Sequence, residues 1–203
     1  MSKIVIVLII LILIVLFYIA YLQSKKPTGL FGKLMMRLWN KTYRDLYLQG
    51  FRYLPSKSNM KILDIGVGNG YSSSLLYEEF ADSDILGIDL SSDAIKEANK
   101  KYKNNKLSFI QGDISNIMLN KNYYDIITAF QTHFHWNDLD TALKNIVHTL
   151  KDDGVLLIAC EKNKLKYYKL DDGKLEEPCN KVGLNNIVHY SDRKYIYYVI
   201  KKQ

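Results

Sequence analysis

Four positions in one short stretch set the chemistry open to this chain. In K-I-L-D-I-G-V-G-N-G-Y-S-S-S-L-L, residues 61–76, Asp64 lies in an apolar run and Gly66, Gly68 and Gly70 follow at alternate positions. Glycines so spaced let the backbone turn sharply and let a ligand lie against bare main chain. The polar, then apolar, residues beyond them open a helix whose first N–H groups and dipole favour an anion. The chemistry on offer is therefore nucleotide or nucleoside binding. Asp89, 19 residues beyond Gly70, closes a second apolar run, D-I-L-G-I-D-L. A carboxylate there can accept both hydroxyls of a ribose. A third run ends in Gly112-Asp113-Ile114, and a fourth, Y-D-I-I-T-A-F, leads into Gln131-Thr132-His133-Phe134-His135-Trp136. His133 and His135 could supply a general base. An H-x-H pair with no clear third ligand does not predict a metal site, and polar or aromatic lining of a pocket is the simplest role for both.

These groups need strands to present them. Lys61–Ile65, Asp84–Leu90, Leu107–Ile110 and Tyr124–Phe130 read as short buried strands. Ser91, Ser92 and Asp93 cap a helix carrying Ala94, Ile95, Ala98 and Tyr102 inward, and Asp138 starts another through Leu139, Leu143, Ile146, Val147 and Leu150. Lys151-Asp152-Asp153-Gly154 reads as a turn into a fifth strand, Val155–Ala159. A weak helix over 174–182 follows, then strands Asn186–Tyr190 and Tyr195–Ile200 around a hairpin turn at 191–194. Ligands of open α/β sheets lie beyond the carboxyl ends of the strands, so the loop after Phe130 should face the reacting group.

The order of these motifs carries a resemblance. D-x-G-x-G-x-G resembles motif I of the class I S-adenosylmethionine (SAM) dependent methyltransferases, whereas the dinucleotide fingerprint G-x-G-x-x-G would need glycine where Tyr71 stands. G-D-I is similar to that family's adenine segment. The loop after Phe130 resembles its motif IV, though not the D/N-P-P-Y/F form of enzymes that methylate nucleic-acid amino groups. L-K-D-D-G-V-L-L-I is similar to the family's L-K-P-G-G-x-L-x-I turn, with aspartates replacing the proline and first glycine. The resemblance implies a Rossmann-like, three-layer α/β/α fold, its mostly parallel seven-stranded sheet ending in an antiparallel hairpin. It implies S-adenosyl-L-methionine as cofactor, with Asp64 and the Gly66 and Gly68 backbone at the methionine part and Gly70 also against the cofactor. Asp89 and Leu90 would hold the ribose, Asp113 and Ile114 the adenine, with Phe130 and Gln131 also against the cofactor. His133, His135 and Trp136 would line the substrate side, the two histidines being the catalytic candidates.

The amino-terminal quarter is different in kind. Ile4–Leu22 is an apolar run of 19 residues, roughly 28 Å as a helix and about the thickness of a bilayer core. It exceeds the usual length of a signal-peptide apolar region, and no small-x-small pattern precedes Gln23, so a retained transmembrane helix is expected. Residues 1–54 hold eight basic side chains against Asp45 alone, an excess of seven that equals the whole chain's net charge of +7. The remainder is neutral, which favours an anionic membrane surface over nucleic acid as partner. Lys25, Lys26, Lys33, Arg37, Lys41 and Arg44 follow the run and only Lys3 precedes it, which places the body of the protein in the cytoplasm at the cell membrane. Leu30–Leu48 reads as a helix with Phe31, Leu34, Met35, Leu38, Thr42 and Leu46 on one face. It would lie in the headgroup layer, close over the substrate side, or simply pack; its wording resembles the lead-in of small bacterial methyltransferase-domain proteins. Cys160 and Cys179 form no motif and read as free thiols. The expected organisation is an anchor over 1–24, a basic helical segment over 25–54 and a SAM-dependent methyltransferase domain over 55–203. Three functions fit: a membrane-anchored methyltransferase for a small or lipophilic acceptor, a tethered SAM-binding sensor or scaffold, and a nicotinamide-dependent reductase, which Tyr71 disfavours.

Overall fold

The central strands are apolar on both faces, and both faces are covered. In this computed structural model, which describes residues 2–168 and 174–202, the chain runs α1 (Lys3–Lys25), α2 (Gly29–Phe51), β1 (Lys61–Ile65), α3 (Tyr71–Glu79), β2 (Asp84–Asp89), α4 (Ser92–Tyr102), β3 (Leu107–Gln111) and β4 (Tyr124–Phe130). A 3-10 turn, His133–His135, precedes α5 (Leu139–Thr149), β5 (Leu150–Glu161), α6 (Lys162–Tyr167), α7 (Glu176–Lys181), β6 (Asn186–Ser191) and β7 (Tyr195–Lys201). Successive residues of a strand face opposite sides. Ile62 and Ile126 accordingly join one core with α2, α3 and α4, while Leu63 and Ile127 join another with α5, α6 and α7.

The sheet order is β3-β2-β1-β4-β5-β7-β6. All neighbours are parallel except β7, which runs antiparallel to both β5 and β6. This is the Rossmann-like methyltransferase architecture expected, terminal hairpin included. Chain order moves outward in one direction from β1 and in the other from β4, so the loops leaving these two strands part and open a crevice.

Two elements depart from their sequence pattern. β5 begins at Leu150, so Lys151–Gly154 lies inside the strand and is not a separate turn. Tyr124 pairs with Leu150 but Ile126 with Val155, and the surplus residues are absorbed as a bulge. α2 is the larger departure. Its buried residues are Gly32, Met36, Leu46, Tyr47, Gly50 and Phe51, whereas Leu34 and Leu38 of the apolar stripe are 62% and 56% exposed. The carboxyl-terminal half docks on α3 and β5 and sets the helix rotation. Edge-on ring pairs fix it: Tyr47 and Phe51 meet Phe130 at centroid distances of 5.1 and 5.8 Å, each adding ~0.5–1.5 kcal/mol beyond buried area. α1 has no buried residue, and with a mean hydropathy of 3.4 it is long and apolar enough to cross a membrane. Cys160 and Cys179 are free and buried.

Candidate functional site

The glycine loop is locked from below. Asp64 is 1% exposed and accepts hydroxyl hydrogen bonds from Ser72 (2.6 Å), Ser73 (2.7 Å) and Thr128 (2.8 Å). Burial outweighs these bonds and pushes its carboxyl up to about 6. Asp64 thus ties β1 to the first turn of α3 and to β4, and it does not line the crevice above, contrary to the expectation that it holds the methionine part. Gly66 does line it. Its φ is +73°, and a Cβ there would fall 2.6 Å from Thr132 Cβ, so only glycine fits. Gly68 lines the crevice and donates its N–H to Asp89 Oδ2 at 2.8 Å. Gly70 corrects a second expectation. With φ +82° it precedes α3, and a Cβ there would meet Phe109 and Ala98 at 2.8–2.9 Å. It packs closely there and borders neither cleft of the crevice.

Two adjoining clefts occupy the crevice. The larger encloses about 740 Å³ of empty space, mouth included, over Gly66, Gly68, Asp89, Phe130 and Gln131. The smaller, about 380 Å³, lies over Leu90, Gly112, Asp113, Ile114 and Trp136. Asp89, Gly66, Thr132 and His135 border both. Asp89 also accepts the Ser91 N–H at 2.8 Å, and its burial raises its pKa. Asp113 accepts the Ser115 N–H at 2.9 Å. The expected ribose and adenine positions therefore come together along one trough.

The loop after β4 divides its side chains. Gln131 has φ 57°, an uncommon conformation for a non-glycine residue. Both polar atoms of its side chain are buried without a partner among the described residues, as is Trp136 Nε1. His135 borders both clefts. Burial, with the Lys164 and Lys25 cations, lowers its pKa to about 4, so the imidazole is neutral near pH 7 and a weak base. His133 is 1% exposed, borders neither cleft, and packs edge-on against Phe134 and Trp136. Burial lowers its pKa to about 3. The expected catalytic and substrate-lining part for His133 is thus not supported by its position, and Trp136 sits at the Asp113 end, away from the expected substrate side.

The sequence placed Lys25 in a basic run and left open a helix over the substrate side, but assigned no single side chain to a roof. Ser24, Lys25 and Pro27, in and after the last turn of α1, border the larger cleft with Met36, Trp39 and Asn40 of α2. Ser91 donates to the Pro27 carbonyl, Gly29 N to Asp93 Oδ2 (2.9 Å), Lys25 Nζ to Asn137 Oδ1 (2.9 Å) and Asn40 to Asn69 Oδ1 (3.0 Å). The option that the amino-terminal helix closes over the substrate side was open from the sequence, but no local pattern chose its inner face.

The residues fit SAM. Bare glycine main chain, a carboxylate between the two clefts and the unpartnered Gln131 amide and Trp136 N–H offer complements to its methionine, ribose and adenine parts. Comparison with known proteins agrees. Residues 56–203 match a methyltransferase domain. A malonyl-[acyl-carrier protein] O-methyltransferase of Acetivibrio thermocellus is 36% identical over 103 residues, 51% of this chain and 36% of that protein. A ubiquinone biosynthesis O-methyltransferase of Pelagibacter ubique is 35% identical over 111 residues, 54% of this chain and 45% of that one. The chain thus spans less than half the length of these two curated relatives. Among solved structures, Haemonchus contortus phosphoethanolamine N-methyltransferase 2, in complex with SAM, superposes with a TM-score of 0.66 at 18% identity, over 78% of this chain and 53% of that one. With motif order, sheet topology and domain match in accord, the chain belongs to the SAM-dependent methyltransferase family.

Proposed function

We propose that the protein is a membrane-anchored enzyme that transfers a methyl group from SAM to a small or lipophilic acceptor at the cytoplasmic face of the cell membrane. One observation carries this reading: Ser24 and Lys25, which end the apolar helix, border the same cleft as Gly66, Gly68 and Gln131. A span ending there holds the cleft at the lipid–water boundary. The basic residues that follow α1 favour the cytoplasmic side. The exposed Leu30, Leu34 and Leu38 of α2, with Lys33 and Arg37 nearby, suit a helix bedded among headgroups. A relative named for ubiquinone biosynthesis supports a lipophilic acceptor.

When bound, SAM supplies a methyl carbon on a positively charged sulfur, open to in-line displacement by an acceptor lone pair with S-adenosylhomocysteine leaving. The chain's own residues bind and orient. Asp89 with Leu90 takes the ribose hydroxyls, Asp113, Ile114 and Trp136 the adenine, and the Gly66 and Gly68 backbone with the Gln131 amide the methionine part. Phe130 backs the sulfur end. His135, a weak base, orients the acceptor by hydrogen bonding, and orientation provides most of the acceleration. An acceptor that must lose a proton gives it to solvent.

The test is incubation of the full chain with methyl-tritiated SAM and separated membrane and soluble extracts. Label in an organic-soluble product of the membrane fraction is expected. Label only in soluble products would remove the membrane acceptor. SAM binding with no transfer to any fraction would leave a tethered sensor or scaffold.

A further inference from the structure

A second groove meets the larger cleft from the side of the apolar helix. It encloses about 740 Å³ of empty space and is walled by Phe17 and Tyr21 of α1, Met35 and Trp39 of α2, and Tyr167 and Tyr168 at the end of α6. Ser24, Trp39 and Lys164 border both spaces, so the two adjoin. The groove changes character along its length. Its outer end is made by Phe17, 66% exposed, on a helix apolar enough to lie in a bilayer. Its inner end carries Ser24 and Lys164. There Tyr168 stacks on Phe134 at 4.6 Å and meets His135 edge-on at 5.4 Å. Lys164 and Lys25, the two cations acting on His135, both border the cleft at this junction.

Apolar walls open to lipid at one end and cations at the other are the complement of an amphiphile. We infer that the groove admits a membrane-resident amphiphile of one long apolar chain and an anionic oxygen head. The chain lies against Phe17 and Tyr21, and the head reaches Lys164 and Lys25 beside His135. Entry is from the bilayer, because the apolar end begins on the spanning helix itself. A chain that moves from lipid to these walls takes no further apolar surface out of water, so the chain itself favours the groove little. The cations instead favour the head at the junction. This assignment rests on the membrane-anchored reading and supplies the class of acceptor.

The test uses the full chain in phosphatidylcholine vesicles holding palmitic acid with a mid-chain diazirine. Photolysis should label Tyr21, Trp39 and Tyr168 saturably, with competition by plain palmitate. Ala20→Trp, which fills the groove outside the cofactor cleft, should cut this labelling at least fivefold and leave SAM affinity unchanged. Lys164→Glu, a variant outside α1, should weaken labelling by the acid and not by a hexadecanol diazirine. Labelling spread evenly along α1 and indifferent to both variants would overturn the inference, as would equal labelling by a water-soluble hexanoate diazirine. Saturable groove labelling in a chain that binds no SAM would support the groove while sinking the methyl-transfer reading.

Discussion

Ser24 Oγ lies 3.4 Å from His135 Nε2, joining positions 111 residues apart. The contact ties the base of the apolar helix to the loop after β4, which borders both clefts. Lys25 with Asn137, Pro27 with Ser91 and Gly29 with Asp93 extend the same seam. The foot of α1 and the roof of the cleft are thus held to the sheet by one set of contacts.

Among the described residues, Asp89 is the one carboxylate bordering both clefts. Asp89→Ala should weaken SAM binding by tenfold or more, since bonds to a charged acceptor contribute about 1.5–3 kcal/mol. Calorimetry on the full chain in detergent measures it. Parent-like affinity in the variant would take Asp89 out of the site.

Gly66→Ala should be destabilising as well as binding-deficient. The left-handed backbone costs about 1–2 kcal/mol with a Cβ, and Thr132 occupies the space it would need. Gly66→Ala with Thr132→Gly relieves the overlap and leaves the backbone cost. The double variant should therefore recover part of the lost unfolding midpoint; recovery of none of it would show that crowding by Thr132 is irrelevant.

Asp64 makes stability depend on pH in an unusual sense. Its folded-state pKa of about 6 exceeds the ordinary carboxylate value of 3.8. The native state therefore keeps a proton that the unfolded chain releases, and the stability this confers is lost as pH rises from about 4 to 6. The full effect is on the order of 3 kcal/mol at 1.36 kcal/mol per unit. Asp64→Asn abolishes this titration. Denaturant midpoints of variant minus parent should climb across that window and level off above it. A flat difference would mean that Asp64 titrates normally.

His135 should titrate near 4 by NMR, with activity indifferent to it between pH 6 and 8. Lys164 disfavours the imidazolium, so Lys164→Ala should move the titration upward. A downward shift, or none, would mean that this cation does not act on the ring.

Much of the fold and part of the site were legible in the sequence because their causes are local. Short apolar strand runs, the Ser91 and Asp138 caps and the glycine turn each act within a few residues, and Asp89, Leu90, Asp113 and Ile114 reach the cleft as continuations of strand ends. Other positions depend on neighbours distant in the chain. Asp64 and Gly70 belong to the pattern of a binding loop, yet one is consumed by three hydroxyls below it and the other by Phe109 and Ala98. His133 and His135 look equivalent as H-x-H. In a 3-10 turn, residues two apart point about 120° away from each other, so one enters the core and the other the cleft. The sequence by itself determined the strands, the glycine loop and an apolar helix long enough to span a bilayer. Only the tertiary structure decided that α2 turns Met36, Trp39 and Asn40 over the cleft and leaves Leu34 and Leu38 outside, because its rotation is set by where Tyr47 and Phe51 dock on Phe130 and no periodicity within the helix records that partner.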